Sequence, residues 1–286
     1  LKDPYRLSYF ILLFYSIMPA FSSNLRSQCF TYLFFAAWLY LLEEVRGGNN
    51  KKHIYFAFIL IMLIWANVHG GFIAGLGITF AYGLGEFLSK RQWKKYLFIL
   101  GSSSFVTLIN PYGLSYWTFL FSAVSMDRPY IKEWWPFNLF GPIKELIGFK
   151  IIIILTIISI IYALVKKRDT IRWGEFFILG FTAFMAFKHV RHCVFFIIAA
   201  SAYIYYYLYP ALNWLSFSIV DKFYNIFNIK IRTVGKWLRD IFVYSIIILV
   251  GLFSYVLFPP KLDVNMARFP ATAIKFIEIN HLSGNL

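Results

Sequence analysis

Two short polar segments that interrupt long apolar runs contain most of the residues that could do chemistry. The first is the stretch WANVHGGF, from Trp65 to Phe72, which puts Asn67 and His69 between two apolar runs. Polar side chains at such a depth in an apolar setting are costly unless they serve a function or find a partner. For His69 two interpretations stay open, a hydrogen bond to a backbone carbonyl and a role in binding or catalysis.

The second polar segment carries four potential cations in five residues, namely Lys188, His189, Arg191 and His192. Arginine forks and lysine ammonium groups suit phosphate and pyrophosphate. The segment therefore predicts either anchoring to lipid head groups or binding of a phosphate-bearing substrate.

A metal centre is a weaker interpretation of the same histidines. His189 and His192 are three apart, so on a helix they share one face, and His69 could supply the third protein ligand of a catalytic metal. No carboxylate accompanies them at a fixed spacing. No metal site is predicted, and a divalent metal stays open as a cofactor.

Further candidates lie in other segments that are expected on the same side of the apolar helices as the two polar segments. Arg26 adds a phosphate-binding cation, and Trp65 and Trp134 offer flat rings that suit a sugar or an isoprenoid chain. Asp127 and Glu133 are second-choice general bases, because a loop carboxylate is usually just solvated. Cations beside aromatic rings are typical of a site for a lipid-linked sugar.

The elements that must position these residues are apolar helices. Of the 286 residues, 60% are hydrophobic and 14% are charged, whereas soluble domains carry roughly 25% charged residues. The sequence therefore predicts an all-α, polytopic transmembrane helix bundle. By the length needed to cross a bilayer there are about nine spans, near 7–21, 29–43, 54–68, 71–88, 96–110, 149–165, 172–187, 192–208 and 240–258.

The basic residues predict the orientation of this bundle. Of 28 lysines and arginines, 18 fall on one side of the nine spans and 10 on the other. Cytoplasmic loops carry the excess, so the N-terminus is expected inside and the C-terminus outside, with the polar segments facing outward. The net charge of +15 is explained by this topology and by lipid contacts, and nucleic acid is not expected as a partner.

Three further segments complete the expected organisation. Within the helix bundle of residues 1–258, an outward loop or interfacial segment covers 111–148, and a cytoplasmic amphipathic segment covers 209–239. Residues 259–286 read as the start of an outward-facing soluble domain. The chain begins without an initiating Met and is expected to be a piece of a longer protein. No internal repeat is found between its halves.

Six motifs in a fixed order resemble bacterial multi-spanning proteins related to the GT-C glycosyltransferases, the superfamily that includes polyprenyl-phosphate-sugar-dependent mannosyltransferases. The resemblance covers most of the chain. The motifs are Arg26-Ser27-Gln28-Cys29-Phe30-Thr31, Trp65 to Phe72, Asn110-Pro111-Tyr112-Gly113, Glu133-Trp134, Arg191-His192 and Arg268-Phe269-Pro270-Ala271.

The resemblance implies a polyprenyl-phosphate sugar donor, an acceptor approached from the outer face, and inverting transfer of the sugar in a bacterial cytoplasmic membrane. Arg26 and Arg191 would bind the phosphate, and Asn67 and His69 would orient donor or acceptor. The family's catalytic carboxylate is usually an Asp in the first outward loop. This sequence has no Asp or Glu between residues 7 and 40. The expectation is therefore either that a preceding N-terminal portion supplies the catalytic Asp or that this chain is not a working transferase, and the catalytic residue stays unassigned.

Two other classes of function remain open. A transporter or flippase of a lipid-linked saccharide would use the same cations and aromatic rings without a general base. A non-catalytic membrane subunit would use the polar motifs to pack against partner subunits. Membrane lipids are expected partners in all three cases.

Overall fold

A computed structural model describes residues 27–126, 128, 130–141, 146–168, 171–204, 206–208, 210–211 and 271–281. All regular elements among these residues are helical, which confirms the all-α class. The α-helices with defined bounds are α1 Gln28–Arg46, α2 Lys52–Val68, α3 Ile73–Leu88, α4 Lys94–Val106, α5 Leu114–Ser125, α6 Ile147–Lys166, α7 Trp173–Lys188, α8 Cys193–Tyr203 and α9 Ala271–Ile279.

Short connections make the central helices antiparallel neighbours. The strongest packing joins α3 to α7, α7 to α8 and α3 to α4, while α1 packs on α2, α3 and α8. The closest approach is at Gly85, where a Cβ atom would lie 2.1 Å from the backbone nitrogen of Gly174. A side chain at Gly85 would push α3 and α7 apart, so this glycine sets their spacing.

Large aromatic side chains fill the core between these helices. Trp38, Trp65, Tyr82 and Tyr203 are each at most 1% exposed. The indole nitrogen of Trp38 donates a 2.8 Å hydrogen bond to Thr79, so its polar atom is not left unpaired. Burial of such rings supplies most of the apolar contact that holds the helices together.

Two helices have the length and composition to cross a membrane, Gly70–Leu88 and Gly148–Lys166. Lys52–Val68 and Val190–Tyr203 are apolar but shorter. This is fewer than the nine expected spans, although 7–21 and 240–258 lie outside the described residues. Orientation in a membrane stays a prediction.

The segment expected as an outward loop, 111–148, contains regular structure. It includes α5 and a 3-10 turn at Lys132–Trp134. Helix α9 falls within the segment expected to start a soluble domain. Of the amphipathic segment 209–239, all but residues 210–211 lie outside the described residues.

Candidate functional site

The two polar segments break their helical hairpins in the same way. His69 and His189 end α2 and α7 with extended backbones, at φ −160° and ψ 137° and at φ −145° and ψ 124°. A three-residue 3-10 turn follows each histidine. The next residues, Ile73 and Cys193, share φ −54° and ψ −34° as they start the returning helix. The backbone therefore repeats this hairpin. No internal repeat was found in the sequence, because the two copies share little beyond the histidine.

His69 is held by a chain of hydrogen bonds that begins at Trp65. The indole nitrogen of Trp65 donates to Thr31 Oγ1 at 2.9 Å, and Thr31 Oγ1 lies 2.8 Å from His69 Nδ1. The backbone N–H of Gly71 also donates to His69 Nδ1, at 3.0 Å. A Cβ atom on Gly71 would lie 2.6 Å from Thr31, so only glycine leaves room for this arrangement.

These contacts fix the protonation of the imidazole. Nδ1 must accept from the N–H of Gly71, so in neutral His69 the proton sits on Nε2. Burial and the nearby charge of Arg191 lower the pKa of His69 below its ordinary value. His69 is therefore a neutral hydrogen-bond donor through Nε2.

Arg191 lies at the centre of the site. Its guanidinium donates to Gln28 Oε1 at 3.2 Å and forms an ion pair with Glu133 at 3.9 Å. The Gln28 amide in turn donates to Tyr32 Oη at 2.6 Å. Gln28 and Glu133 thus hold the Arg191 guanidinium in place. The Arg191 side chain as a whole is 18% exposed.

Trp134 connects this guanidinium to a second one. The guanidinium carbon of Arg191 lies 4.5 Å from the centre of the Trp134 ring, and that of Arg128 lies 4.0 Å from it. Arg128 also donates to the Ala123 carbonyl at 2.9 Å, while its other terminal nitrogen is buried without a hydrogen-bond partner among the described residues. The indole ring thus lies next to two positive charges, Arg128 and Arg191. Glu133 supplies one negative charge to compensate for them.

His189 and His192 bracket the same indole. The His189 and His192 rings lie 5.0 and 6.3 Å from Trp134. His189 Nδ1 lies 2.6 Å from the Trp134 carbonyl, and His192 Nδ1 lies 3.3 Å from the Met185 carbonyl. Because carbonyls only accept, Nδ1 of each imidazole carries a proton and donates it to the carbonyl oxygen.

The structure therefore brings together most, but not all, of the predicted site residues. His69, Trp134, Glu133, His189, Arg191 and His192 form one group, which with Gln28, Thr31 and Arg128 is called the Arg191 cluster below. Lys188 lies exposed in the last turn of α7. Arg26 and Asp127 lie outside the described residues.

Two predicted residues make contacts within the helix bundle, Asn67 at an exposed position and Trp65 at a buried one. The Asn67 amide donates to the carbonyls of Leu63 and Ile109, at 2.8 and 2.9 Å, which ties α2 to the turn after α4. Trp65 is 0% exposed. It positions Thr31 but has no free face for a sugar, so it is part of the core and not an aromatic wall.

Sequence reasoning missed two parts of this arrangement. Gln28, Thr31 and Arg128 were not candidates, although Gln28 and Thr31 belong to the first of the six motifs. The other omission is a buried charge network at the opposite end of α1, about 27 Å away at 1.5 Å per residue. There Arg46 lies 2.5 Å from Glu175 and 3.3 Å from Glu86.

Comparisons with other proteins do not add to this picture, because no family model, curated protein or solved structure matches the chain. Among the described residues, no group of three histidine, cysteine or acidic side chains is arranged to hold a metal ion.

Proposed function

We propose that this chain is a polytopic integral protein of the bacterial cytoplasmic membrane, with about nine spans and the Arg191 cluster on the outer face. Exposed apolar side chains recur at helical spacing on α2 and α6, which supports contact with lipid. These side chains are Phe56, Leu60, Ile64, Ile154, Ile157 and Ile161, each between 44% and 63% exposed.

We further propose that the Arg191 cluster binds the phosphate of a polyprenyl-phosphate sugar and that the protein transfers the sugar. The observation that carries this proposal is the guanidinium of Arg191, which Gln28 and Glu133 hold on a side chain that is 18% exposed. A guanidinium fixed in this way makes strong, charge-assisted hydrogen bonds to phosphate oxygens. The N–H of His69 adds a neutral donor nearby.

In the transfer, an acceptor hydroxyl oxygen bonds to the anomeric carbon of the sugar as the bond from that carbon to the phosphate oxygen breaks. The bonding electrons go to the phosphate, and Arg191 stabilises the charge that develops there. A carboxylate takes the hydroxyl proton. Glu133 and Asp127 are the candidates, and Glu133 also orients Arg191 through their ion pair.

The experiment is an in vitro assay of sugar transfer from a polyprenyl-phosphate sugar by the purified chain and by its Arg191→Ala and Arg191→Lys variants. We expect Arg191→Ala to lose transfer and Arg191→Lys to retain a small part, because lysine keeps the charge but loses the fork. Lys52→Gln, at the opposite end of the helices, is the matched control. Wild-type turnover by Arg191→Ala would refute the proposal.

A second function, transport of a lipid-linked saccharide, is favoured by the repeated hairpin. Internal repeats with the binding site at their interface are frequent in transporters, and the Arg191 cluster draws side chains from both copies. Proteoliposomes carrying a labelled lipid-linked saccharide separate the two functions. Asp127→Asn, which leaves the ion pair of Glu133 with Arg191 in place, should stop sugar transfer if Asp127 supplies the base, whereas translocation needs no base.

A further inference from the structure

A polar cavity lies at the end of α1 opposite the Arg191 cluster. Its volume is about 670 Å³, and it opens between the ends of α1, α3 and α7. Four arginines, one glutamate and two aromatic rings dominate its lining. They are Arg46, Arg91, Arg168, Arg172, Glu43, Trp173 and Tyr206.

Two of these arginines are held rigidly by buried carboxylates. Arg46 and Arg172 both contact the same oxygen of Glu175, at 2.5 and 2.8 Å, and Glu175 is 0% exposed. Arg172 also stacks on Tyr206, with its guanidinium carbon 3.9 Å from the ring centre. Rotamer freedom is thus already lost, so a ligand would not have to order these groups on binding.

The other two arginines give the cavity an excess of positive charge. Arg91 and Arg168 are exposed at its edge, and no ion pair to either is found in the part of the chain that the structure describes. Among the described residues, Glu43 in the lining and the buried Glu86 and Glu175 behind it give three carboxylates against four guanidinium groups, so the excess lies at the exposed Arg91 and Arg168. Asp169, next to Arg168 in the chain, lies outside the described residues.

We propose that this cavity is a second, independent site that binds a phosphate-bearing anion. Guanidinium forks match phosphate oxygens in pairs, and the aromatic rings of Trp173 and Tyr206 can pack against the remainder of the ligand. Basic pockets between membrane helices on one side of the bilayer typically take anionic lipid head groups. The phosphate comes either from such a head group or from a soluble pyrophosphate-type compound.

The test compares two double variants with the same loss of charge. Arg91→Gln with Arg168→Gln removes the exposed cavity cations and leaves the buried network intact. Lys52→Gln with Lys94→Gln removes two exposed lysines at the same end of the helices but outside the cavity. Neither pair removes a buried group, so both proteins should fold.

Two probes distinguish the sources of phosphate. Native mass spectrometry of the purified chain measures retention of diphosphatidylglycerol against phosphatidylcholine. Titration with sodium pyrophosphate, read through tryptophan fluorescence with Trp173→Phe as the blank, measures soluble ligand. For whichever of the two probes binds in the cavity, we expect the arginine double variant to weaken binding about thirtyfold. Each surface cation contributes roughly a fivefold factor to the affinity.

The lysine double variant should bind within a few-fold of wild type. Loss of lipid retention in the arginine variant alone identifies a head group, and loss of the pyrophosphate response alone identifies a soluble anion. Equal losses in both variants would reveal general electrostatic attraction and overturn the proposal, as would no binding of either probe. Arg191→Ala should leave binding of both probes in this cavity unchanged. A failure of the second-site proposal is therefore distinguishable from a failure of the sugar-transfer proposal.

Discussion

Thr31 Oγ1 lies 2.8 Å from His69 Nδ1 while it accepts a hydrogen bond from the indole of Trp65. Since Nδ1 of His69 accepts from the N–H of Gly71 and carries no proton, the Thr31 hydroxyl is the donor in its contact with His69. One buried threonine thus couples the core to the polar break between α2 and α3.

Replacement of this threonine by valine is expected to destabilise the protein. Thr31→Val keeps the shape but leaves the N–H of fully buried Trp65 without an acceptor, which costs about 1–3 kcal/mol in the free energy of unfolding. Denaturant unfolding of the purified chain measures the change. Thr118→Val, on an exposed position of α5 where the hydroxyl contacts the Ser115 carbonyl, should change stability little. Equal effects would contradict the assigned coupling.

Gly71 should not tolerate replacement by alanine, whereas Gly77 should. A Cβ atom on Gly71 would meet Thr31 at 2.6 Å and His69 Nδ1 at 2.9 Å, whereas one on Gly77 would meet nothing closer than 4.0 Å. We expect Gly71→Ala to reduce both stability and phosphate binding. Gly77→Ala should stabilise α3 by up to about 1 kcal/mol. The comparison requires thermal unfolding of both variants, and a harmless Gly71→Ala would show that the break relaxes easily.

Stability should fall in mild acid because of His69. Its pKa in the folded chain is lowered from the ordinary 6.5 by burial and by Arg191, so the unfolded chain takes up the proton first as pH falls. The stabilising contribution is complete above about pH 6.5 and is lost progressively below that value.

The test is the free energy of unfolding from about pH 7.5 to about pH 5, compared between wild type and His69→Asn. Asparagine can keep an acceptor near the N–H of Gly71 but does not titrate, so this variant should show a shallower pH dependence. His53→Asn, on the exposed first turn of α2, is the control for the loss of one histidine. An unchanged slope in His69→Asn would exclude His69 as its source.

Some helical elements could be predicted closely from the lengths of the apolar runs, whereas α8 ends at Tyr203, short of the expected span 192–208, and α5 lies in a segment expected as a loop. The expected span 54–68 corresponds to Lys52–Val68, and 172–187 corresponds to Trp173–Lys188. Apolar runs end where polar residues begin, so the sequence locates the ends of the helices to within two residues in both cases. The repeated break was not predicted, because it is a property of backbone angles that quite different residues can adopt.

Contacts within the site depend on the packing of distant segments and could not be predicted from spacing. Gln28 and Arg191 are 163 residues apart in the chain and meet only because α1 packs on α8. The ion pairs at the other end were not predicted for the same reason. Arg46 was counted only among the basic residues that indicate topology, and a buried carboxylate from another helix binds it.

That buried network gives the strongest expected effect on stability. Glu175 is 0% exposed and contacts both Arg46 and Arg172, so Glu175→Gln leaves two arginines without their shared counter-charge. Removal of one partner of a buried ion pair costs about 3–5 kcal/mol. Glu44→Gln is the matched control on α1, where the carboxylate accepts from the Asn49 amide at a less buried position, and exposed contacts contribute about 1 kcal/mol or less. Denaturant unfolding of the two variants should separate them clearly. Similar small losses would mean that water reaches the arginines and replaces the carboxylate, so that the network serves ligand binding more than folding.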